Sequence, residues 1–165
     1  MNEKINPVRE TNEKAMSLVS TLLIEARYGA LGVEEPETAV PLVSRVAVAW
    51  SQSTGLFFAA SDLSVHSKSL KNNSTCSIML GEVGKGDGLA YPRVTLVGNT
   101  ARMSNDNKNR ARYRLVFLDS HPKAKLYIDF ADFGFYPINM VRALLNGGFG
   151  QAYHLNEKDL SLLSG

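Results

Sequence analysis

Two stretches of this chain carry the side chains that a bound phosphate asks for. One is Ser44-Arg45-Val46-Ala47, where a single guanidinium interrupts small and apolar residues. The other is "SDLSVHSK", residues 61–68, which supplies Ser61, Ser64, His66, Ser67 and Lys68. Hydroxyls, a basic side chain and free amides at a helix start are the donors that a phosphate monoester takes. Arg93 and Thr95 in "RVTLVG" share a face if that stretch is a strand, and add two more donors. A plainer reading stays open at each position, because polar side chains in a connection are usually solvated.

Other motifs exclude more than they promise. Gly147-Gly148-Phe149-Gly150 follows an apolar run, but a dinucleotide fingerprint needs G-x-G-x-x-G opening a helix, and "QAYHL" is strand-like. "GKGDG" at 84–88 is not a P-loop, since neither Ser nor Thr follows Lys85. These glycines read as backbone geometry, either positive φ or close approach. His121 precedes Pro122 at a helix start and reads as capping or solvated; His154 falls on the last strand-like segment. One cysteine, Cys76, excludes an internal disulfide and makes no zinc site alone.

The elements that must position these groups follow from periodicity. Residues 1–12 are expected to be flexible and 13–165 to form one domain. Ala15, Leu18, Val19, Leu22, Leu23 and Ala26 predict an amphipathic helix, with Thr11 or Asn12 as cap and Gly29 as stop. "LVSRVAVAW" alternates, placing Leu42, Ser44, Val46, Val48 and Trp50 opposite Val43, Arg45, Ala47 and Ala49, and "STG" turns it into "LFFAAS". "DLSVHSKSLKNN" carries a short helical pattern through Leu63, His66 and Leu70. "TCSIML" is a strand, 81–92 a glycine-rich loop, and "RVTLVGNTARM" a strand with a kink or bulge at Gly98. Ser104 to Asp119 reads as a helix with Ala111, Leu115 and Leu118 on one face, and Ser120 and Pro122 start another. From Tyr127 strands return as "YIDFADFGFYPI", "MVRALLN" and "QAYHL", before a helix capped by Asn156. Six or seven strands without βαβ alternation predict an α+β domain on an antiparallel barrel.

At 165 residues the chain is long enough for one well-buried core. A net charge of +2 argues against a nucleic-acid partner. The N-terminal residues lack a secretory apolar stretch and no apolar run reaches membrane-spanning length, which predicts a cytoplasmic location without a membrane partner.

The ordered set "ARYGALGV", "LVSRVAVAW", "SDLSVHSKSL", "YPRVTLVG", "HPKAKLYIDFADF" and "NGGFGQAYHL" resembles the pyridoxamine 5′-phosphate oxidase-like FMN-binding split-barrel superfamily, closest to its haem-utilisation (HugZ-type) branch. The resemblance covers about residues 15–160. It implies a six-stranded antiparallel split β-barrel with flanking helices and a homodimer holding FMN between subunits. It also implies flavin-dependent oxidoreductase chemistry on a small substrate that the residues do not name. Carried onto this chain, Ser44, Arg45, Val46 and Ala47 meet the flavin, with Arg45 a phosphate or ribityl donor. Ser61, Ser64, His66, Ser67 and Lys68 form the phosphate segment, and Arg93 and Thr95 stand at the family's polar "RQV" strand.

Departures leave two alternatives open. The C-terminal motif for pyridoxal phosphate is not recognisable, which argues against vitamin-B6 oxidation. Haem degraders of the branch use a histidine beyond the barrel, where this chain has only His154 nearby, and Gln151 stands where many relatives have Arg. The alternatives to FMN are haem binding or degradation, and a cofactor-free dimeric binding module.

Overall fold

The computed structural model describes residues 8–9, 11–148 and 150–163. Of the segment expected to be flexible, residues 1–7 and 10 lie outside the described residues. Val8–Arg9 form a short strand, β1. Thr11 Oγ1 donates to the His154 carbonyl at 3.0 Å and to Asp159 at 3.2 Å.

Helix α1 spans Glu13–Glu25 because Asn12 Oδ1 accepts the Ala15 amide at 2.9 Å and Ala15, Val19 and Leu23 recur on one buried face. Its expected stop, Gly29, instead lies inside strand β2, Tyr28–Glu34. A Cβ there would sit 2.8 Å from the Ile78 side chain, so the glycine serves close strand packing. Strands β3 (Pro41–Ser51) and β4 (Gly55–Ser61) form the expected hairpin. Helix α2 (Val65–Asn72) follows, buried through Ser67, Ser69 and Leu70; Leu63 precedes it and is exposed. Then come β5 (Thr75–Leu80) and β6 (Arg93–Thr100). The register of β6 against its neighbour shifts between Val97 and Gly98, the bulge that the glycine signalled.

Helix α3 covers Arg110–Ser120 and starts later than expected, because Ser104 bonds Asp106 instead of capping it. Its buried side chain is Phe117, flanked by Tyr113 and Val116, whereas Leu115 is exposed. The aromatic face wins because aromatic partners wait beneath it. Strand β7 is one continuous element, Phe133–Asn146, where two were expected from Tyr127 onward. Strand β8 (Ala152–Leu155) leads to α4 (Glu157–Ser161), whose N-terminus carries the capping box Asn156–Asp159.

Hydrogen bonds run in the order β4–β3–β2–β5–β6–β7, and β7 returns to β4, closing a six-stranded antiparallel barrel. Phe133–Pro137 of β7 pair with β4, and Ile138–Asn146 pair with β6. Outside the barrel, β8 pairs antiparallel with β7 as a seventh strand, and β1 pairs parallel with β8. Gly147, Gly148 and Gly150 lie between β7 and β8; Gly148 has φ +108° and the Gly147 amide donates to the Gln151 carbonyl at 2.7 Å.

Two cores share β3, β4 and β7. The barrel interior holds Leu31, Val48, Leu56, Phe58, Ile78, Leu96, Tyr136 and Leu145, plugged by Val19 and Leu23 of α1. The outer faces of β3, β4 and β7 present Ala49, Phe57, Ala59 and Phe135 to Phe117, Ala124 and Ile128. Phe57 meets Phe135 at 5.7 Å and 87° and Tyr113 at 4.7 Å and 66°, the edge-on packing that aromatic quadrupoles favour. "LFFAA" is therefore apolar throughout because both of its faces are covered.

Candidate functional site

The outer side of the barrel away from α3 is different. Side chains pointing outward from β2, β3, β5, β6 and late β7 stay exposed or half-exposed. Strand registers align Arg45, Ala30, Met79, Thr95, Leu144 and His154 as one row from β3 to β8. Five strand spacings of roughly 4.8 Å make the row about 24 Å long over the curved sheet. The adjacent row is Val43, Gly32, Ser77, Val97 and Arg142.

These rows line a continuous trough. Its middle, about 520 Å³, includes Gly32, Val43, Thr95, Val97, Arg142 and Leu144. One end, about 510 Å³, shares Val43 and adds Tyr28, Ala30, Arg45, Met79 and Glu82. The other, about 230 Å³, shares Thr95 and Leu144 and adds Arg93, Asn146 and Tyr153. Volumes of this size are typical of small-molecule sites, as is an apolar lining with a few polar groups. Among the described residues, the Arg45 and Arg142 guanidiniums have no hydrogen-bond or ion-pair partner.

The structure thus brings Arg45, Thr95 and, at the margin, Arg93 to one surface. Arg93 is partly committed, donating to the Leu89 and Tyr91 carbonyls at 3.2 and 3.4 Å and so bracing the 81–92 loop. Ser44 lies half-buried beside Arg45 on the rim of the trough. Val46 points into the barrel core, and Ala47 packs toward α3 with the outer aromatic cluster, so neither side chain faces the trough.

The segment Ser61–Lys68 lies elsewhere. The β3–β4 ladder ends at Ala47–Ala59, two residues short of Arg45 and Ser61, and the strands part there. Past this split, the hydroxyls of the segment are taken up by bonds within the protein. Ser61 Oγ donates to Asp132 Oδ2 at 2.5 Å and accepts the Leu63 amide at 3.1 Å. Ser64 caps α2 by accepting the Ser67 amide, and its hydroxyl donates to the Ser61 carbonyl at 2.8 Å. Ser67 is fully buried, with Oγ 2.8 Å from Ser64 Oγ. Asp62 Oδ1 lies 2.9 Å from Arg102 Nε, an ion-pair contact. His66 is half-buried, and burial lowers its pKa; Lys68 is exposed.

Sequence reasoning missed Tyr28, Met79, Arg142 and Leu144. The signal for the last two was present in "MVRALLN", where Met140, Ala143 and Leu145 are buried while Arg142 and Leu144 face out. No helix among the described residues is long and apolar enough to cross a membrane.

Comparison with known proteins gives the geometry a context. The family described as "CREG, beta-barrel" matches residues 14–161. A chloroplastic non-canonical haem oxygenase of Arabidopsis thaliana is 38% identical over 78 residues, 47% of this chain and 22% of that protein. A haem-binding protein of Mycobacterium smegmatis superposes with a TM-score of 0.80 at 26% identity, over 94% of this chain and 62% of its own. The chain thus spans less than two thirds of each of these two proteins. A Clostridium acetobutylicum protein of the pyridoxine-phosphate oxidase family, 14% identical, matches 91% of this chain and 99% of its own with a TM-score of 0.69, and shows the shared split-barrel fold.

Proposed function

The chain belongs to the CREG β-barrel family, and from that premise we propose that it binds haem in the trough as a homodimer. The observation that carries this reading is the trough itself, an apolar floor of Ala30, Gly32, Val43, Val97 and Leu144 bordered by two guanidiniums without a partner among the described residues. Haem is a flat apolar plate with two carboxylates, and Arg–carboxylate pairing is strong and directional. Arg142 would take the carboxylates, which leave haem from one edge, while Arg45 stands four strands away at the other side of the floor; the small Ala30 and Gly32 leave room for a flat ring. Haem, when bound, supplies a redox-active iron. The chain's part is to orient the ring and keep water from it, which a second copy over the exposed Tyr28, Val43, Met79 and Leu144 would complete.

The names of the haem oxygenase and the haem-binding protein support this reading. The flavin-dependent oxidoreductase reading keeps the shared fold in its favour, but the residues expected to hold the FMN phosphate do not fit it well. Their hydroxyls are bonded internally and two carboxylates adjoin them.

Titration with haem followed by absorption tests the proposal. A saturable 1:1 Soret band is expected, weakened about tenfold or more in Arg142→Ala, as loss of a charge-assisted hydrogen bond requires. Absence of any spectral change refutes haem binding. A colourless protein that still dimerises would instead favour the cofactor-free binding module.

A further inference from the structure

We infer that Asp132 sets ligand choice in this barrel by keeping phosphate away from the start of α2. The inference deepens the proposed cofactor reading, and rests on it only for the trough being the site of binding. The geometry is direct. Asp132 Oδ2 accepts a hydrogen bond from the Ser61 hydroxyl at 2.5 Å, so the first hydroxyl of the segment donates into a carboxylate. The Asp62 amide donates to the Asp132 carbonyl at 2.7 Å, which extends the β4–β7 ladder and fixes the two acidic residues side by side. Asp62 itself is held by Arg102 at 2.9 Å, with the Tyr136 hydroxyl 3.5 Å away.

A phosphate entering here would replace none of these bonds without leaving a carboxylate unpaired, and it would meet like charge at contact distance. The remaining donors are otherwise serviceable. The Val65 and His66 amides have no partner among the described residues, and the Lys68 ammonium is exposed. Neutralising Asp132 converts a repelled anion site into an accepting one. Asp132→Asn keeps the size of the side chain and an oxygen that can accept from Ser61, so the network that seats α2 persists.

The experiment compares FMN with riboflavin, which differ by the phosphate alone, as titrants of the full chain and of Asp132→Asn. For the wild-type protein the expected result is no preference for FMN, non-binding of both flavins included. For Asp132→Asn a preference of about tenfold or more for FMN is expected, the effect of removing one like charge near contact. Lys68→Ala on that background abolishes the preference. A wild-type protein that already favours FMN about tenfold overturns the inference whatever the variant does. So does a folded variant that remains indifferent to the phosphate or binds neither flavin. Haem titration of the same samples separates this outcome from failure of the haem reading, because the Soret response does not depend on the phosphate comparison.

Discussion

Placing a charge where the middle of the trough meets its Arg45 end tests whether that surface is covered in the working protein. Val43 is 69% exposed and borders both the middle and the Arg45 end of the trough. In a single copy, Val43→Asp leaves its carboxylate in water, and the cost is within about 1 kcal/mol, mostly lost strand preference. Under a second copy the carboxylate must shed water. An incompletely paired buried charge costs roughly 2–4 kcal/mol, and a two-fold interface counts it twice. Arg45, two residues along the same face, offsets part of this, so the lower end applies: about 4 kcal/mol, or roughly a thousandfold in the dimer constant. Sedimentation velocity over a concentration series measures the association, and urea unfolding of the dilute monomer checks the fold. A variant that dimerises within tenfold of the wild type, or a wild type that is monomeric throughout, refutes a covered trough.

Two further outcomes follow from the cores. Phe117→Ala removes the side chain that three aromatic rings surround beneath α3, and should cost about 3–5 kcal/mol, lowering the melting temperature by roughly 10 °C; a loss below about 1 kcal/mol would mean the outer cluster is not tightly packed. Burial pushes the Cys76 thiol from its ordinary 9.0 up to about 11. The unfolded chain loses this proton first, so the contribution is whole below pH 9 and is lost as pH rises toward 11, up to about 2–3 kcal/mol. Urea unfolding at stepped pH should show that decline in the wild type and a shallower one in Cys76→Val; equal slopes would refute it.

Much of the barrel was legible because strand alternation reports a surface with one wet face. "LVSRVAVAW", "TCSIML" and "RVTLVG" gave β3, β5 and β6 in that way. The strand Tyr28–Glu34 escaped because its glycines depress strand preference, and their purpose appears only when Ile78 lies against Gly29. Eight strands form where six or seven were expected: the missed strand was balanced by the division of β7 into two, and the two-residue β1 adds one more. The site was harder for a different reason. Ser61 and Asp132 are 71 residues apart, so a bond that occupies the Ser61 hydroxyl leaves no local trace. Arg45 was found because a charge stands out in an apolar strand, while Arg142 joined it only through the register of β6 against β7.

The trough also bears on how such a domain can change over evolutionary time. Its side chains point away from both cores, and exchanging them disturbs little of what keeps a single copy folded. Val43, Met79, Arg142 and Leu144 can therefore drift, be recruited or be lost while Phe57, Phe58, Phe117 and Tyr136 stay put. A lineage built on this plan can change what this face meets, or leave it unused, without passing through an unstable ancestor.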